Sequence, residues 1–493
     1  MLREFAKDSV VYGVAAVLTR AVSLLLVPLL TRVLAPTEYG AVDILTLVGS
    51  LVALTVALEI SQALPRFFAD ADTEKERVGY ASTAFWFTLA AYSVVCIAGF
   101  AAAHPLATLI LGRHDFEGLF RAALGMYVAT GIFLLLQSQL RWERRAVQYA
   151  ITSLLAAALS LATVALLLLR LHTGPAAVFV GQTVGNAAGA IVALFFARHS
   201  FARVFSARRC REMLAFSAPL VPSGLAVFIA LYSDRLIVQR ILSLSEVGKL
   251  AVGYRFASMV GLVTIGFQSA LMPLVFAKYR EQETPAHLAR IFRVFCGLAL
   301  LLCTVLGLFA REIVIVLTSP NYYAAASVIP LLAPAVLLAS MYVFAPGLVL
   351  TKRTGSVALL NFGGAGLNVV LNLILVPVIG INGAATATLI SSALTFSGYM
   401  VASQRYYPVP HQWRVLAAAL IAAAVTGMVG YSLGPPNMTV VLIKVLLFTA
   451  LAVMLLRLEL VRRAEVATAV ALIGRWPESV FAKSGRRKQR AQT

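Results

Sequence analysis

Long, nearly unbroken apolar runs recur along the chain. Fourteen can be marked, at approximately 9–30, 40–63, 81–103, 117–139, 150–170, 175–197, 214–240, 247–277, 291–310, 327–349, 357–376, 382–402, 414–433 and 438–456. A helix that crosses the hydrocarbon core of a bilayer needs about 20 mostly apolar residues, because its backbone groups must be satisfied internally. The runs are continuous and do not alternate, so they predict helices and not barrel strands. We therefore predict an all-α, polytopic membrane protein with about 14 transmembrane helices.

Composition supports this class. The 493 residues are 60% hydrophobic and 13% charged, whereas soluble domains are about 45–50% apolar and about 25% charged. Four cysteines are too few for a disulfide scaffold. The first apolar run leads into a second within about ten residues and has no small-residue cleavage site, so we interpret it as a membrane span and not as a signal peptide.

The basic residues are distributed asymmetrically. The net charge is +20. If the N-terminus lies in the cytoplasm, the inside segments carry about 30 of the 41 Lys and Arg residues and the outside loops about six. This distribution predicts that both termini are cytoplasmic. It also assigns the positive charge to topology and to contact with anionic membrane lipids, and not to nucleic-acid binding.

A short motif occurs twice. Residues 32–40 and 240–248 both fit R-[VI]-L-x-x-[ST]-E-x-G, each in a short outside turn after an odd-numbered span. The offset of 208 also pairs Pro65 with Pro273. Six spans separate the copies, so the repeats have the same orientation in the membrane, and such repeats enclose a cavity in transporters. We predict two pseudo-symmetric six-helix lobes, 1–205 and 206–405, then two extra helices (406–456) and a basic cytoplasmic tail (457–493).

Motifs for enzymatic or metal chemistry are missing from the sequence. It contains no G-x-x-x-x-G-K-[ST], H-E-x-x-H or C-x-x-C, so we expect no nucleotide hydrolysis on this chain, no metal site and no cofactor. The predicted outside loops are too short for a catalytic domain. We therefore expect a transporter and not an enzyme, with coupling to a proton, sodium or other ion gradient left open.

Two arginines lie deep within predicted spans. Arg20 is about eleven residues from either end of the first span, and Arg255 lies about one-third into the eighth. A charge at bilayer depth costs about 2.5–3.5 kcal/mol on insertion scales, so it faces a cavity or a partner by default. We predict that both arginines bind an anionic substrate. The alternatives are an ion pair of Arg20 with Glu59 and an interfacial anchor at Arg255.

Four further charged residues are candidate substrate-binding residues. Glu59 lies near the inner end of the second span, and Arg66 follows Pro65 at the inner mouth. Asp234 and Arg235 lie near the outer end of the seventh span. Adjacent helical residues point about 100° apart, so we expect these two not to pair with each other. Helix-to-helix contact is the structural alternative for both.

Amides also line predicted helix faces. Asn361, Asn368 and Asn372 share one face of the eleventh span, and Gln182 and Asn186 form an i, i+4 pair in the sixth. They either form interhelical hydrogen bonds or make a polar cavity wall that contacts sugar hydroxyls. Asn368 and Asn372 are included among the candidate binding residues.

Four segments resemble a known family. They are 28–40 (PLLTRVLAPTEYG), 64–69 (LPRFFA), 233–242 (SDRLIVQRIL) and 246–255 (EVGKLAVGYR). In order and spacing they resemble bacterial polysaccharide flippases of the O-antigen and exopolysaccharide branch of the multidrug/oligosaccharidyl-lipid/polysaccharide exporter superfamily. Arg20 lies where related lipid-linked precursor flippases carry a first-span arginine in the cavity.

The resemblance implies a function and a location. It implies that undecaprenyl-pyrophosphate-linked oligosaccharide moves from the inner to the outer leaflet of the bacterial inner membrane by alternating access between two lobes. Polysaccharide polymerase and chain-length proteins are expected partners. Two other functions remain open. One is a cation-coupled drug exporter of the same fold, for which Asp43, Glu59 and Asp234 are the candidate carboxylates; the other is a membrane glycan polymerase or acyltransferase.

Overall fold

The computed structural model is a bundle of long helices. It describes residues 2–261, 263–264, 267, 271, 275, 279–351, 353–434, 437–458 and 460, and no β-strand occurs in this part of the chain. The α-helices are α1 (Leu2–Val33), α2 (Pro36–Thr55), α3 (Ile60–Asp70), α4 (Glu74–Ala101), α5 (Ala103–Leu111), α6 (Glu117–Trp142), α7 (Ala146–Leu169), α8 (Ala176–Phe196), α9 (Ala207–Ser217), α10 (Val221–Ile241), α11 (Leu244–Ala257), α12 (Thr284–Leu308), α13 (Ala310–Leu317), α14 (Ile329–Ser340), α15 (Gly347–Leu350), α16 (Thr354–Ile379), α17 (Ile381–Tyr406), α18 (Trp413–Ser432) and α19 (Met438–Arg457).

The predicted fold class is confirmed. Within the described residues, twelve helical stretches are long and apolar enough to cross a membrane. Helices α10 and α11 lie where the seventh and eighth spans were predicted, and α10 carries three charged residues near its end. Together these elements are consistent with about 14 spans. The division into two lobes stays a prediction, and Pro273 and the tail beyond residue 460 lie outside the described residues.

The second predicted span contains a break that the apolar pattern did not predict. Helix α2 ends at Thr55 and α3 begins at Ile60. Between them, Leu58 and Glu59 adopt φ values of 48° and 54°, a left-handed conformation that costs roughly 1–2 kcal/mol per residue outside glycine. The Ile60 N–H donates to the Ala57 carbonyl at 3.0 Å, so the tighter turn still satisfies part of the backbone. An apolar run indicates that a segment lies in lipid, but it does not show where the helix within that segment breaks.

The two copies of the repeated motif contact each other. Both lie at the end of the bundle where α1 ends and α2 begins, which we call the motif face. A Cβ on Gly40 would lie 1.9 Å from the Leu244 carbonyl oxygen, and one on Gly248 would lie 2.1 Å from the Pro36 carbonyl oxygen. Each contact is the counterpart of the other at the offset of 208. Helices α2 and α11 therefore pack backbone to backbone, which only glycine at both positions allows.

The arginines that begin the two copies of the motif also contact the other half of the chain. Arg32 donates from Nη2 to the Val316 carbonyl oxygen at 3.2 Å, and Arg240 donates from Nη2 to the Leu109 carbonyl oxygen at 3.2 Å. Each arginine thus bonds to a helix end in the other half of the chain. The repeat predicted from sequence therefore joins the first and second halves at the motif face.

Further hydrogen bonds close the same face. The Tyr322 hydroxyl donates to the Leu34 carbonyl oxygen at 2.9 Å. Gln239 donates from Nε2 to the Ile110 carbonyl oxygen at 2.6 Å. These bonds again connect opposite halves of the chain, so the motif face is closed in this structure.

A buried ion pair attaches the last span. Lys444 of α19 donates from Nζ to Glu312 Oε1 of α13 at 2.7 Å, and the lysine side chain is 2% exposed. An unpaired charge at this depth is costly, so the pair fixes α19 beside α13.

Substituting the motif glycines tests the close packing. Gly40→Ala or Gly248→Ala forces α2 and α11 apart, and we expect a loss of about 1–3 kcal/mol of stability. Thermal unfolding of the purified protein should show a lower Tm for both. Gly363→Ala is the matched control, because a Cβ at Gly363 meets nothing within 4 Å. Equal Tm values for all three variants would contradict the packing.

A histidine in the loop between α17 and α18 predicts a pH dependence. The ring of His411 packs against those of Phe292 and Trp413 at 4.7 and 5.0 Å. Burial lowers its pKa from 6.5 to about 4, because the charged form is penalised. The unfolded chain binds this proton more readily, so stability is lost as the pH falls from about 6.5 towards 4. His411→Phe should remove that part of the pH dependence of Tm; an unchanged slope would count against it.

Candidate functional site

A cavity opens within the bundle, bordered mainly by the first half of the chain. Its volume is about 510 Å³, and residues of α1, α2, α6, α7 and α8 form most of its wall. The second half contributes Arg255 of α11. The volume is within the range of small-molecule sites.

Two of the predicted binding residues meet at this cavity. Arg20, at mid-length of α1, and Arg255, in the last turn of α11, both line it. Both side chains are exposed, and neither has an ion pair with any described residue, so the alternative pair of Arg20 with Glu59 is not formed. Arg255 interacts with the hydroxyl of Tyr39. The cavity therefore presents two guanidinium groups from opposite halves of the chain.

Neutral polar groups line the opposite helices. Gln182 and Asn186 of α8 line the cavity, as do Gln137 of α6 and Ser153 of α7. The sequence leaves the role of the α8 pair open and gives no sign of Gln137. Gln137 begins the polar segment Gln137-Ser138-Gln139 at the end of an apolar run, and this segment has no helical spacing that would single it out.

Two further candidate residues, Asp234 and Arg235, belong to a buried ionic cluster beside the cavity. Arg235 Nε lies 3.0 Å from Asp43 Oδ2, and Arg235 Nη1 lies 3.5 Å from Asp234 Oδ1. The expectation that Asp234 and Arg235 do not pair is wrong. Their Cβ atoms point in different directions, but the arginine side chain is long enough to bend back to the neighbouring carboxylate. Asp43 also lines the cavity. The cluster therefore joins α2 to α10 and borders the site.

Hydrogen bonds extend the cluster into the second half. The Tyr254 hydroxyl donates to Asp234 Oδ2, and the Tyr254 ring lies under the Arg235 guanidinium at 4.0 Å. Tyr254 and Thr388 share a contact of 3.4 Å between their hydroxyls. Asn368 donates from Nδ2 to that Thr388 hydroxyl at 3.4 Å.

The predicted asparagines of α16 belong to this network. Asn368 donates to Ser391 Oγ at 3.0 Å, and Asn372 donates to Asn368 Oδ1 at 3.1 Å. Asn368 is 5% exposed and Asn372 is fully buried. Neither lines the cavity. Asn368 matches the interhelical alternative stated for this helix face, whereas Asn372 bonds within α16. Their part in binding stays a prediction.

Glu59 and Arg66 lie apart from the cavity. Glu59 is half-buried in the break between α2 and α3, close enough to Tyr92 for an electrostatic interaction. Arg66 lies near the opposite end of the bundle from the motif face, with its guanidinium 4.8 Å from the Phe216 ring centroid and 3.9 Å from Asp70. Its side chain is 61% exposed. The structure does not bring either residue to the two arginines.

The site residues do not form a metal centre. Within the described part of the chain, no three His, Cys, Asp or Glu side chains are grouped so that they could hold a metal ion.

The fold is similar to that of solved membrane transporters. It is similar to the structure of lipid II flippase MurJ in an inward closed conformation, with a TM-score of 0.73 and 14% identity over 90% of this chain and 98% of that one. A MOP superfamily transporter from Pyrococcus furiosus gives a TM-score of 0.56 and 12% identity, covering 82% and 95%. The MATE transporter VcmN of Vibrio cholerae gives 0.54 and 15%, covering 82% and 96%.

The family follows from the sequence. Residues 5–280 match the model of the family described as "Polysaccharide biosynthesis protein", and the chain belongs to this family. It is also 29% identical over 262 residues to the succinoglycan biosynthesis transport protein ExoT of Rhizobium meliloti (strain 1021). That match covers 52% of this chain and 49% of the relative, so it spans about half the length of each. The resemblance to polysaccharide flippases is thereby confirmed.

Removing the central arginine tests the ionic cluster. Arg235→Ala leaves Asp43 and Asp234 without their cation, and breaking a buried pair in this way costs about 3–5 kcal/mol. We expect a sharply lower Tm in detergent. Asp43→Asn combined with Arg235→Ala should be less damaging than the sum of the single changes, because the remaining charges repel less. If the losses of Tm in the two single variants simply added up in the double variant, the pairing would be refuted. Arg170→Ala, on an exposed residue, is the control.

Proposed function

We propose that this protein is a flippase for undecaprenyl-pyrophosphate-linked oligosaccharide in the bacterial inner membrane. The oligosaccharide is a precursor of a surface polysaccharide such as O-antigen or exopolysaccharide. The protein carries it from the inner to the outer leaflet by alternating access, with both termini in the cytoplasm.

The pair of cavity arginines carries this proposal. Arg20 and Arg255 come from opposite halves of the chain, line one cavity and have no carboxylate partner among the described residues. Guanidinium groups bind phosphate oxygens through charge-assisted, often bidentate hydrogen bonds. A pyrophosphate is too polar to cross the bilayer unaided, and two separate cations can neutralise it at mid-membrane.

The closed motif face fits one end state of alternating access. With the N-terminus in the cytoplasm, as the distribution of Lys and Arg favours, the motif face is the outer face. The packing of Gly40 on Leu244 and Gly248 on Pro36 then closes the cavity towards the outside. Release of the substrate outside requires these contacts to separate.

The comparisons support the type of cargo. The family description names polysaccharide biosynthesis, and the relative in Rhizobium meliloti is named for the transport of succinoglycan. A cation-coupled drug exporter fits the cavity less well, because two arginines repel a cationic drug. Asp43, the carboxylate at the cavity, is already paired with Arg235.

Flipping by the reconstituted protein tests the proposal. The probe is undecaprenyl pyrophosphate bearing a fluorescent disaccharide, and dithionite quenching reports the probe in the outer leaflet of proteoliposomes. Wild-type protein should transfer the probe. Arg20→Ala and Arg255→Ala should each slow transfer about tenfold to a hundredfold, since a hydrogen bond to a charged group contributes about 1.5–3 kcal/mol.

The control removes an arginine elsewhere. Arg170→Ala takes away one positive charge at the end of α7, on an exposed residue that does not line the cavity, and should transfer the probe at the wild-type rate. Transfer at that rate by both cavity variants would remove the arginines from the mechanism. Absence of transfer by wild-type protein would overturn the proposed function.

A further inference from the structure

The cavity wall formed by α6, α7 and α8 is neutral and polar. It presents Gln137, Ser153, Ser160, Gln182 and Asn186, and no charged side chain from these three helices lines the cavity. The charged members of the lining belong to α1, α2 and α11. The cavity is thus divided into a cationic part and an uncharged, hydrogen-bonding part.

The hydrogen bonds fix which way the Gln137 amide points. Its Nε2 donates to Ser153 Oγ at 2.7 Å and to Thr152 Oγ1 at 3.3 Å. Both hydroxyls already donate to backbone carbonyl oxygens, those of Tyr149 and Gln148. They can therefore only accept from the amide, so the NH₂ group faces them and the amide oxygen is left for a ligand.

The α8 amides are also available to a ligand. Asn186 donates from Nδ2 to Thr130 Oγ1 at 2.8 Å, which leaves its amide oxygen without a partner in the described part of the chain. Gln182 has no hydrogen-bond partner among the described residues, so it offers both a donor and an acceptor. The wall therefore presents acceptors and donors side by side.

Close helix packing holds these amides in place. A Cβ at Gly185 would lie 2.3 Å from the Ala156 carbonyl oxygen, and one at Gly181 would lie 2.4 Å from the Val164 side chain. Helix α8 is therefore seated directly on α7. Gln182 and Asn186 each follow one of these glycines by one position, so their backbone positions are set before a ligand binds, which favours recognition.

We propose that this wall is a subsite for the sugar that is attached directly to the pyrophosphate. Sugar hydroxyls both donate and accept, as the free groups of Gln137, Gln182 and Asn186 require. Amide oxygens are unsuited to phosphate, which has only acceptors. The cavity volume of about 510 Å³ accommodates a pyrophosphate with the first part of a glycan and not a long chain. This inference rests on the proposed function and adds selectivity for the first sugar.

Binding of two kinds of probe separates the subsite from the arginines. One probe is undecaprenyl pyrophosphate, and the others carry one glucose, galactose or N-acetylglucosamine on it. Protein in lipid nanodiscs is titrated with each. Gln182→Ala and Asn186→Ala should weaken binding of at least one sugar-bearing probe about three- to tenfold, the effect of one neutral hydrogen bond. Binding of the sugar-free probe should be unchanged.

Three further variants complete the experiment. Gln182→Leu keeps the side-chain size and should behave like Gln182→Ala. Arg20→Ala should weaken binding of all probes. Asn361→Ala removes an amide that bonds to Tyr399 away from the cavity, and it should leave every affinity unchanged.

The outcomes distinguish the two proposals. If the Gln182 and Asn186 variants bind every probe as wild-type does, or weaken sugar-free and sugar-bearing probes equally, the subsite is overturned and the flippase proposal stands. If wild-type protein binds no probe, both proposals fail together. Retained binding of the sugar-free probe shows that a variant is folded.

Discussion

The cost of placing a charge in a bilayer organises this structure. An arginine at membrane depth must be paired or must reach a polar space, and the chain uses both solutions within a short distance. Arg235 is held between Asp43 and Asp234, and its guanidinium lies over the Tyr254 ring. Arg20 and Arg255 remain without a carboxylate partner among the described residues, at a cavity. The paired arginine stabilises the bundle, and the unpaired ones remain available for an anion.

One short segment of α2 lies between the closed motif face and the cavity. Tyr39 interacts with Arg255, Gly40 packs against the Leu244 backbone, and Asp43 pairs with Arg235 while lining the cavity. A closing contact of the motif face, a member of the ionic cluster and a neighbour of a cavity arginine therefore lie within a single turn of helix.

The sequence predicted the general architecture better than the details of the site. Continuous apolar runs predicted the spans, and the repeated motif identified Gly40 and Gly248 as equivalent positions, which the structure places in contact. The high cost of an intramembrane charge selected Arg20 and Arg255, and both line the cavity; their part in binding stays a prediction. The break at Leu58 and Glu59 has no such signal, because backbone conformation there is not encoded by an apolar run.

The remaining differences between the expected and the observed partners of polar residues have a common cause. Polar residues inside spans reach one another through long or branched side chains, and helical spacing does not show which neighbouring helix receives them. Asp234 and Arg235 pair although they are adjacent. Asn368 bonds to α17 and Asn372 bonds to Asn368, and neither lines the cavity. Periodicity identifies a polar face, but the packing of its neighbours decides whether that face meets a cavity.

The two halves use their polar helix pairs differently. In the second half, Asn368 of α16 bonds to Thr388 of α17, and the Thr388 hydroxyl contacts that of Tyr254, which bonds to Asp234. In the first half, the amides of Gln182 and Asn186 remain at the cavity. Both pairs are polar and closely packed, yet one bonds to the ionic cluster and the other lines the cavity. The proposed cargo has a matching asymmetry: its phosphates would lie at the arginines of both halves, and its first sugar would lie on the wall formed by the first half.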